Sequence, residues 1–418
     1  MRLGIIADDF TGATDIAGFL VANGLSTIQL NGVPEAGLQV EADAVVISLK
    51  SRSCPADEAV TMSLAALEWL RARDCEQFFF KYCSTFDSTP RGNIGPVTDA
   101  LLDALGEDFT VICPALPVNG RTIYNGYLFV NGVPLAESGM RHHPVTPMTD
   151  SNLMRLMEAQ STGKCGDVHA DDVARGVEAV KASLDALRGK GMRYAVLDVL
   201  NAADVATVGK AVAGMRLVTG GSGLADGMAK AWTDRLSDPA QAAAAGRPSG
   251  ERPVVLSGSC SQMTNAQVAA YKDEAPACPI DVVRCLSDEG YADELFAWVR
   301  DQQGGDLAPL VYATTDPDEL ARIQKQHGAE QASGAVERTF GQLAKLLAED
   351  GTDTFIVAGG ETSGIVVQSL GVTGFHIGPQ IAPGVPWVRA VDRPISLALK
   401  SGNFGGPRFF FDAQEKRG

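Results

Sequence analysis

The sequence predicts an α/β protein of two domains, each an open, mostly parallel sheet flanked by helices. Its 418 residues exceed what one ordinary hydrophobic core accommodates, so two domains are the natural expectation. Short apolar runs, polar turns and amphipathic segments alternate along the chain, and this alternation breaks once, over residues 238–252, and then restarts. Ligands of such sheets bind beyond the carboxyl ends of the strands, so we expect the active site in the cleft between the domains.

The predicted strands of the first half are apolar on both faces, which is typical of parallel strands covered by helices. They cover residues 3–7, 44–49, 78–82, 110–114, 194–199 and 216–219. The predicted helices cover residues 12–22, 56–73, 94–105, 173–187 and 203–213. Residues 122–135 interrupt the pattern with two Asn-Gly pairs between β-prone residues, and we interpret them as a hairpin excursion.

Residues 238–252 lack β-branched side chains and are rich in Ala, Gly, Pro and charge, so we interpret them as a linker whose first half favours a helix. This places one domain at residues 1–237 and another at residues 253–418. In the second domain the predicted strands cover residues 253–256, 282–283, 310–313, 354–358 and 396–399. The predicted helices cover residues 262–271, 291–300, 335–347 and 362–370.

Composition excludes several classes of function. The net charge of −16 disfavours nucleic acid and anionic membranes as partners, although a local group of Arg and Lys can still bind a small anion. The eight cysteines contain no C-x-x-C pair, which excludes the usual zinc and thioredoxin-type spacings. The first apolar run is too short for a signal peptide and no run approaches 18 apolar residues, so we expect a cytoplasmic protein.

Two acidic residues follow the first predicted strand. Asp8 and Asp9 precede Thr11 and Gly12 at the start of a helix, and Asp15 lies one turn further on. An α/β enzyme places a general base or a magnesium ligand at such a strand end. The alternative is that Asp9 or Thr11 only caps the helix, but a cap needs one such residue and here several cluster.

A second polar group surrounds the strand predicted at residues 78–82. It comprises Lys81, near the strand end, and the following loop, which carries hydroxyl, amide, carboxylate and guanidinium groups. Arg52, after the strand at residues 44–49, is a weaker candidate for the same site. Arg pairs with carboxylate through two bonds and Asp accepts from hydroxyls, so this set suits a polyol acid. The alternative is a polar turn that caps the next helix. The loop residues are Asp87, Ser88, Arg91 and Asn93.

Three Gly-rich turns follow predicted strands of the second domain. Such turns expose N–H groups to phosphate at a helix N-terminus, and three in one domain indicate a nucleotide site. The candidate residues are Ser257, Gly258 and Ser259 in the first turn, Gly359, Gly360, Glu361, Thr362 and Ser363 in the second, and Gly402 and Asn403 in the third. No Walker motif, protein-kinase motif set or dinucleotide fingerprint is present. His142 and His143 are adjacent without an evident third ligand, so we expect a loop or substrate contact and assign no metal ligand.

Four motifs together resemble the four-carbon acid sugar kinase family, and the resemblance covers essentially the whole chain. They are D-D-x-T-G-A at residues 8–13, K…D-S-T-x-R-G-N at Lys81 and residues 87–93, G-G-E-T-[SA]-G at residues 359–364, and K-S-G-x-F-G at residues 400–405. The one mild departure is Pro90, where many relatives have Leu. The resemblance implies an N-terminal sugar-acid-binding domain and a C-terminal nucleotide-binding domain.

The resemblance also implies a reaction, in which ATP phosphorylates the 4-hydroxyl of a four-carbon acid sugar. Mg²⁺ would bridge the phosphates, Asp8 or Asp9 would accept the hydroxyl proton or help hold the metal, and Lys81 and Arg91 would grip the carboxylate. Closure of the domains would exclude water. Residues 113–135 and 141–153 look most like the branch that acts on 3-oxo-tetronate. A threonate or erythronate kinase, a non-catalytic sensor of sugar acid and nucleotide, and a homo-oligomer stay open.

Overall fold

The structure, a computed structural model of the chain, describes residues 2–142, 146–232, 238–315 and 317–416. It divides into two compact units, Met1–Ala242 and Ala243–Gly418, which are described separately below. This division falls inside the segment predicted to be a linker. The domain bounds at residues 237 and 253 stay a prediction.

The first unit contains one large parallel sheet and a small antiparallel sheet among its described residues. In chain order the strands are β1 (Arg2–Ala7), β2 (Thr27–Asn31), β3 (Ala44–Ser48), β4 (Cys75–Lys81), β5 (Thr110–Cys113), β6 (Arg121–Tyr124), β7 (Tyr127–Val130), β8 (Val133–Pro134), β9 (Cys165–Val168), β10 (Tyr194–Leu197) and β11 (Leu217–Gly220). The large sheet has the order β2-β3-β1-β4-β11-β5-β10-β9, and β6, β7 and β8 form the small sheet.

Helices connect these strands, as the right-handed parallel crossovers of an α/β unit require. They are α1 (Phe10–Ala22), α2 (Ala56–Arg71), α3 (Ile94–Leu105), α4 (Leu153–Glu158), α5 (Ala170–Ala174), α6 (Val177–Gly189), α7 (Ala202–Val212), α8 (Ser222–Ala229) and α9 (Pro239–Ala242). The helix predicted over residues 173–187 is divided in two, because Gly176 between α5 and α6 has φ = 101°, outside the helical region. The strands were expected to be covered on both faces, and β3 is accordingly buried at every position.

The hairpin excursion is confirmed as β6, β7 and β8. The turn residues Asn125, Gly126, Asn131 and Gly132 all have positive φ, between 49° and 81°, as tight hairpin turns with Asn-Gly require. One buried carboxylate fixes this sheet to the rest of the unit. Asp198, at the end of β10, accepts N–H bonds from Asn125 at 2.8 Å, from Gly126 at 3.0 Å and from Ala170 at 3.0 Å.

The second unit has a mixed sheet whose larger part is parallel. Its strands are β12 (Pro253–Ser257), β13 (Ala277–Pro279), β14 (Leu310–Tyr312), β15 (Thr354–Ala358), β16 (Gly374–Ala382), β17 (Val385–Ala390) and β18 (Ser396–Lys400). They lie in the order β13-β14-β12-β15-β18-β17-β16, with β16 and β17 antiparallel to their neighbours. The helices are α10 (Gln262–Lys272), α11 (Val282–Ser287), α12 (Tyr291–Gln302), α13 (Pro317–His327), α14 (Ala329–Glu349), α15 (Gly360–Ser369) and α16 (Phe409–Glu415).

One expectation for this half differs from the structure. The strand predicted at Val282 and Val283 is wrong: these residues begin α11, because Asp281 accepts N–H bonds from Val283 and Arg284 and caps a helix there. Residues 238–252, predicted to be a linker whose first half favours a helix, do form a helix near their start. They contain α9 and a 3₁₀ turn at Ala244–Gly246, and the backbone of Gly246 approaches that of Gly378 in β16 so closely that a Cβ would collide.

The order of the strands predicts where each unit binds ligands. In the first unit the chain places β2 and β3 on one side of β1 and then β4 on the other, and in the second it places β13 and β14 on one side of β12 and then β15 on the other. A crevice opens at such a reversal, beyond the carboxyl ends of the two central strands. The segments that follow β1 and β4, and those that follow β12 and β15, therefore occupy the favoured positions.

None of the helices that the structure describes combines the length and the apolar character needed to cross a bilayer.

Candidate active site

Asp8 and Asp9, directly after β1, share one guanidinium. Arg52 donates from Nε to Asp8 Oδ2 at 2.9 Å and from Nη2 to Asp8 Oδ1 at 2.8 Å, and the same Nη2 lies 2.7 Å from Asp9 Oδ1. Asp9 Oδ1 also accepts the N–H of Gly12 at 2.8 Å, which caps α1. The capping role and the site role therefore coexist in Asp9, whereas both oxygens of Asp8 are committed to Arg52.

The loop that carries Arg52 is held by Asn93. The N–H groups of Ser51 and Arg52 donate to the carbonyl of Asp8 at 3.0 and 3.2 Å. From the other side, Asn93 Nδ2 donates to the carbonyls of Ser51 at 2.6 Å and Cys54 at 2.9 Å. The sequence predicted that Asn93 binds substrate, but its amide N–H groups are used on this loop, so its visible role is to position Arg52.

Burial sets the electrostatics of the acidic pair. Burial raises the pKa of the Asp8 carboxyl above its usual value, and the Arg52 guanidinium opposes that shift. Although burial alone would lower the pKa of Arg52, the carboxylates of Asp8 and Asp9 raise it instead. Arg52 thus stays protonated and supplies the countercharge that offsets the cost of ionising Asp8 in its buried position.

Lys81 ends β4, the other central strand, and is 3% exposed. Its Nζ donates to the carbonyl of Tyr82 at 2.9 Å and lies beside Gly12, where a Cβ would be 3.0 Å from it. The ammonium also acts on two acids of the site, because it lowers the pKa of Asp8 and of Asp15 against the larger effect of burial, which raises both. Lys81 is therefore a buried countercharge for the acidic cluster.

The loop after β4 is closely packed around Ser88. Ser88 Oγ donates to Gln160 Oε1 at 2.8 Å, and Gly92 leaves the room for it, since a Cβ there would lie 1.9 Å from Ser88 Oγ. Asp87 Oδ1 accepts a bond from Thr85 Oγ1 at 2.6 Å. Arg91 is exposed, and no bond from its guanidinium to another described residue is found. Among the loop residues predicted to bind substrate, Arg91 is therefore the one with its side-chain donors free.

Sequence reasoning did not assign Ser222, which the fold brings to this site. Ser222 begins α8 after β11, the neighbour of β4, and its hydroxyl donates to the half-buried carboxylate of Asp15. The sequence T-G-G-S-G at residues 219–223 was the available signal. Glycine is required here by close packing, because a Cβ on Gly220, Gly221 or Gly223 would approach the backbone of residues 113–115 within 2.7 Å. Thr11, on the first turn of α1, lies beside the acidic pair.

The first two Gly-rich turns of the second unit come together at the reversal between β12 and β15. Ser257 Oγ bonds to Thr314 Oγ1 at 2.7 Å, and the N–H groups of Gly258 and Ser259 both donate to the carbonyl of Ala358. Gly359 donates to the carbonyl of Lys400 at 2.9 Å. These N–H groups are already used inside the unit, so they build the turns and are not the free donors that the sequence suggested.

The free donors are at the start of α15. Gly359 has φ = 126°, a value that glycine alone adopts readily, and this conformation turns the chain into the helix. The first N–H groups of the helix, from Gly360 to Thr362, have no partner within it, as at any helix start. Thr362 sits against Gly258, where a Cβ would lie 2.2 Å from Thr362 Oγ1. The Ser363 hydroxyl is buried and has no partner among the described residues.

An apolar pocket adjoins this helix start. Its wall includes Gly258 and Thr362 of the turns, and beyond them half-buried apolar side chains from α11, α13 and α14 with polar groups at its edge. The residues that extend it away from the turns are Val282, Ala313, Thr315, Ile323, Ala332, Ser333, Val336 and Glu337. A flat apolar group attached to an anion would fit this combination of surfaces.

The third turn, residues 400–406, folds over the first. A Cβ on Gly402 would lie 2.7 Å from Ser259 Oγ, so these two turns are in contact through Gly402. Asn403 follows in the same turn and is exposed. Within the part of the chain that the structure describes, no group of three His, Cys, Asp or Glu side chains could hold a metal alone. His143 and the side chain of His142 lie outside the described residues.

The comparisons with known proteins identify the family. Residues 3–228 match the model of a sugar-binding N-terminal domain, and residues 254–410 match that of a nucleotide-binding C-terminal domain. The chain belongs to the four-carbon acid sugar kinase family. A 3-oxo-tetronate kinase of Brucella melitensis is 66% identical over 416 residues, which are 99% of this chain and 95% of that protein. A 3-oxo-tetronate kinase of Pectobacterium atrosepticum is 60% identical over 420 residues, 100% of this chain and 99% of that protein.

Solved structures agree with this membership. The crystal structure of a Salmonella typhimurium LT2 protein has a TM-score of 0.95 at 60% identity and covers 99% of each chain. A Haemophilus influenzae protein gives a TM-score of 0.89 at 56% identity, covering 99% of this chain and all of that one. The predicted α/β class and two-domain organisation of the family are thereby confirmed. The roles of individual site residues stay predictions.

The contact between Arg52 and Asp8 predicts how the stability of the protein depends on pH. Arg52→Met should leave Asp8 buried without its countercharge, at a cost of about 3–5 kcal/mol near pH 7. The pKa of Asp8 in the folded protein already lies above its value in the unfolded chain, and it would rise further in the variant. The loss of stability is therefore present when the pH is above this folded pKa, and it disappears as the pH falls below it. Denaturant unfolding of both proteins from pH 7.5 to pH 4.5 measures this. The double variant Arg52→Met/Asp8→Asn is the control and should lose most of the pH dependence; an equal deficit at every pH would contradict the electrostatic account.

Proposed function

We propose that the protein transfers a phosphoryl group from ATP to the 4-hydroxyl of 3-oxo-tetronate, giving the 4-phosphate and ADP. The observation that carries this proposal is the cluster of Asp8, Asp9, Arg52 and Lys81 at the carboxyl ends of β1 and β4. Full-length identity of 60–66% to proteins named 3-oxo-tetronate kinase supports the same substrate. The sequence motifs alone left threonate and erythronate open.

In this proposal Asp9 is the general base. Both oxygens of Asp8 are held by Arg52, whereas Asp9 commits one oxygen to Gly12 and Arg52 and has a side chain that is 28% exposed. A base must reach the proton that it takes, and Asp9 can present its second oxygen to a hydroxyl. Asp8 then acts indirectly by fixing Arg52.

The substrate carboxylate is assigned to Arg91. Lys81 is buried and used as a countercharge for the acids, so it contributes to the potential of the site more than to direct contact. Arg91 is exposed on the adjacent loop with its guanidinium donors free among the described residues, and such a fork matches a carboxylate. Since the net charge of −16 repels an anion at long range, a local cation is needed.

The nucleotide is assigned to the second unit, with its phosphates at the start of α15 and its adenine in the adjoining apolar pocket. Mg²⁺ fits the residues present, because a hard cation shared with phosphates needs only one or two protein carboxylates and the exposed Glu361, at the start of α15, has oxygens available. When bound, the ion neutralises charge on the phosphates. The location of the reaction between the two domains stays a prediction.

A substrate panel tests the proposed function. ADP release should be fastest with 3-oxo-tetronate and much slower with threonate, erythronate and an uncharged four-carbon sugar. Arg91→Ala should raise the KM for the acid by about tenfold or more, the value of a charge-assisted hydrogen bond, and leave the KM for ATP unchanged. Preference for threonate or erythronate would move the protein to that branch of the family. No turnover with any acid, despite nucleotide binding, would favour the sensor.

The assignment of the base predicts different effects for the two acids. Asp9→Asn should lower kcat by about 10²-fold or more, the scale of a positioned acid–base group, with little change in either KM. Asp8→Asn should loosen Arg52 and so change the KM for the acid as well as kcat. Steady-state kinetics under matched conditions, with melting temperatures to check folding, separate the two patterns. A larger kcat loss in Asp8→Asn than in Asp9→Asn would reverse the assignment.

The proposed adenine position in the apolar pocket can be tested with two adjacent residues of α11. Val282 lines the apolar pocket, whereas Val283 is exposed and does not line it. Val282→Trp should fill the pocket and raise the KM for ATP by about tenfold or more without changing the KM for the acid. Val283→Trp is the matched control and should behave like the unaltered protein. Equal KM values for ATP in the two variants would show that the adenine does not bind in this pocket.

A further inference from the structure

Lys400, the last residue of β18, is a buried lysine whose three donors are all used inside the protein. The residue is 1% exposed. Its Nζ donates to Thr264 Oγ1 at 2.9 Å, to the carbonyl of Gly402 at 2.9 Å and to the carbonyl of Ser401 at 3.2 Å. An ammonium has three N–H groups, so none remains for a ligand unless one of these bonds breaks.

The bonds from Lys400 fix the direction of the turn that follows. In a trans peptide the C=O and the next N–H point to opposite sides. Because the carbonyls of Ser401 and Gly402 point toward the ammonium, the N–H groups of Gly402 and Asn403 point away from it. Gly402 lies against Ser259, next to the reversal where the other Gly-rich turns meet, so these N–H groups belong to the same surface.

Thr264 completes this arrangement from α10. Its hydroxyl accepts from Lys400 and from Ser261 Oγ at 3.0 Å, and donates to the carbonyl of Gly402 at 2.7 Å. Thr264 is fully buried and takes no part in the pocket described above. It can therefore be changed to test the turn without touching a ligand-facing surface.

We propose that Lys400 is a positioning residue for the nucleotide: its ammonium holds residues 401–403 so that the N–H groups of Gly402 and Asn403 face the phosphates, and it does not contact the phosphates itself. This rests on the proposed assignment of ATP to the second unit. It differs from the usual role of a lysine in a phosphate loop, which is direct contact as a point charge.

The protonation state of Lys400 then controls the turn. Burial lowers the pKa of Lys400 to about 8. The charged groups on the elements packed around it are Lys272 on α10, Glu361 on α15, Arg389 on β17, and Asp412 and Glu415 on α16, and no ion pair joins any of them to Lys400 among the described residues. Above pH 8 the amine loses one donor and directs a lone pair at a carbonyl oxygen, so the turn loosens.

Stability changes in the opposite direction. The folded pKa of Lys400 is below the unfolded value of 10.5, so the cost of burying its charge is present below pH 8 and disappears as the pH rises from 8 to 10.5. Weaker nucleotide binding at pH 9 would therefore not come from unfolding at this residue. Melting curves at each pH monitor this separately.

The test is calorimetric titration of the full-length protein with ADP and Mg²⁺ from pH 7 to pH 9.5. Near pH 9 only about one molecule in eleven keeps the ammonium, so affinity should be about tenfold lower than at pH 7. Lys400→Arg, whose guanidinium does not titrate in this range, should show a flat profile. Lys400→Met should bind about tenfold more weakly at pH 7, also with a flat profile. A flat profile for the unaltered protein would overturn the proposal, and this result requires no variant to fold.

A matched pair at Thr264 separates positioning from direct contact. Thr264→Val removes the hydroxyl that links Lys400 to Gly402, and positioning predicts weaker ADP binding at pH 7 and a profile moved to lower pH. Thr264→Ser keeps the hydroxyl and should bind like the unaltered protein. Unchanged affinity in Thr264→Val, with the pH profile retained, would show that the lysine contacts phosphate directly. Absence of ADP binding at every pH would instead refute the proposed nucleotide site, which is a different result from binding without pH dependence.

Discussion

The first unit depends on one guanidinium placed between two carboxylates. Asp8 and Asp9 follow each other directly after β1, and without Arg52 their charges would repel in a partly desolvated position. Arg52 is brought there by a loop that hydrogen-bonds to the backbone of Asp8 and is held from its other side by Asn93. The position of the predicted base, the start of α1 and the loop after β3 therefore follow from this contact.

In each unit a strand of the main sheet ends with a buried lysine. Lys81 ends β4 and Lys400 ends β18, and in each case Nζ donates to the carbonyl of the next residue. Their surroundings differ: Lys81 lies among the carboxylates of Asp8 and Asp15, whereas no carboxylate shifts the pKa of Lys400. The same local geometry therefore gives a countercharge for acids in the first unit and a support for backbone carbonyls in the second.

Most of the parallel strands could be predicted from the sequence, because burial on both faces leaves a continuous apolar run, as in β3. Two of the strands that sequence reasoning missed, β2 and β16, lack this run. The buried Gln29, whose Oε1 accepts a hydrogen bond from Thr14, interrupts β2, while Gly378 and Pro379 interrupt β16, where the pairing is irregular. Site residues were recognised where polar groups cluster in sequence. Ser222 was not, since its partner Asp15 is 207 positions away.

Asp198 has a consequence for how the first unit loses structure. Its one carboxylate satisfies N–H groups of the β6–β7 turn and of α5, two segments that are 44 or more positions apart in the chain. If either segment detached alone, a buried anion would lose part of its hydrogen bonding while it stayed away from water, which is costly. The hairpin and α5 therefore form one cooperative element, and local opening should release them together, leaving the central strands β1 and β4 in place.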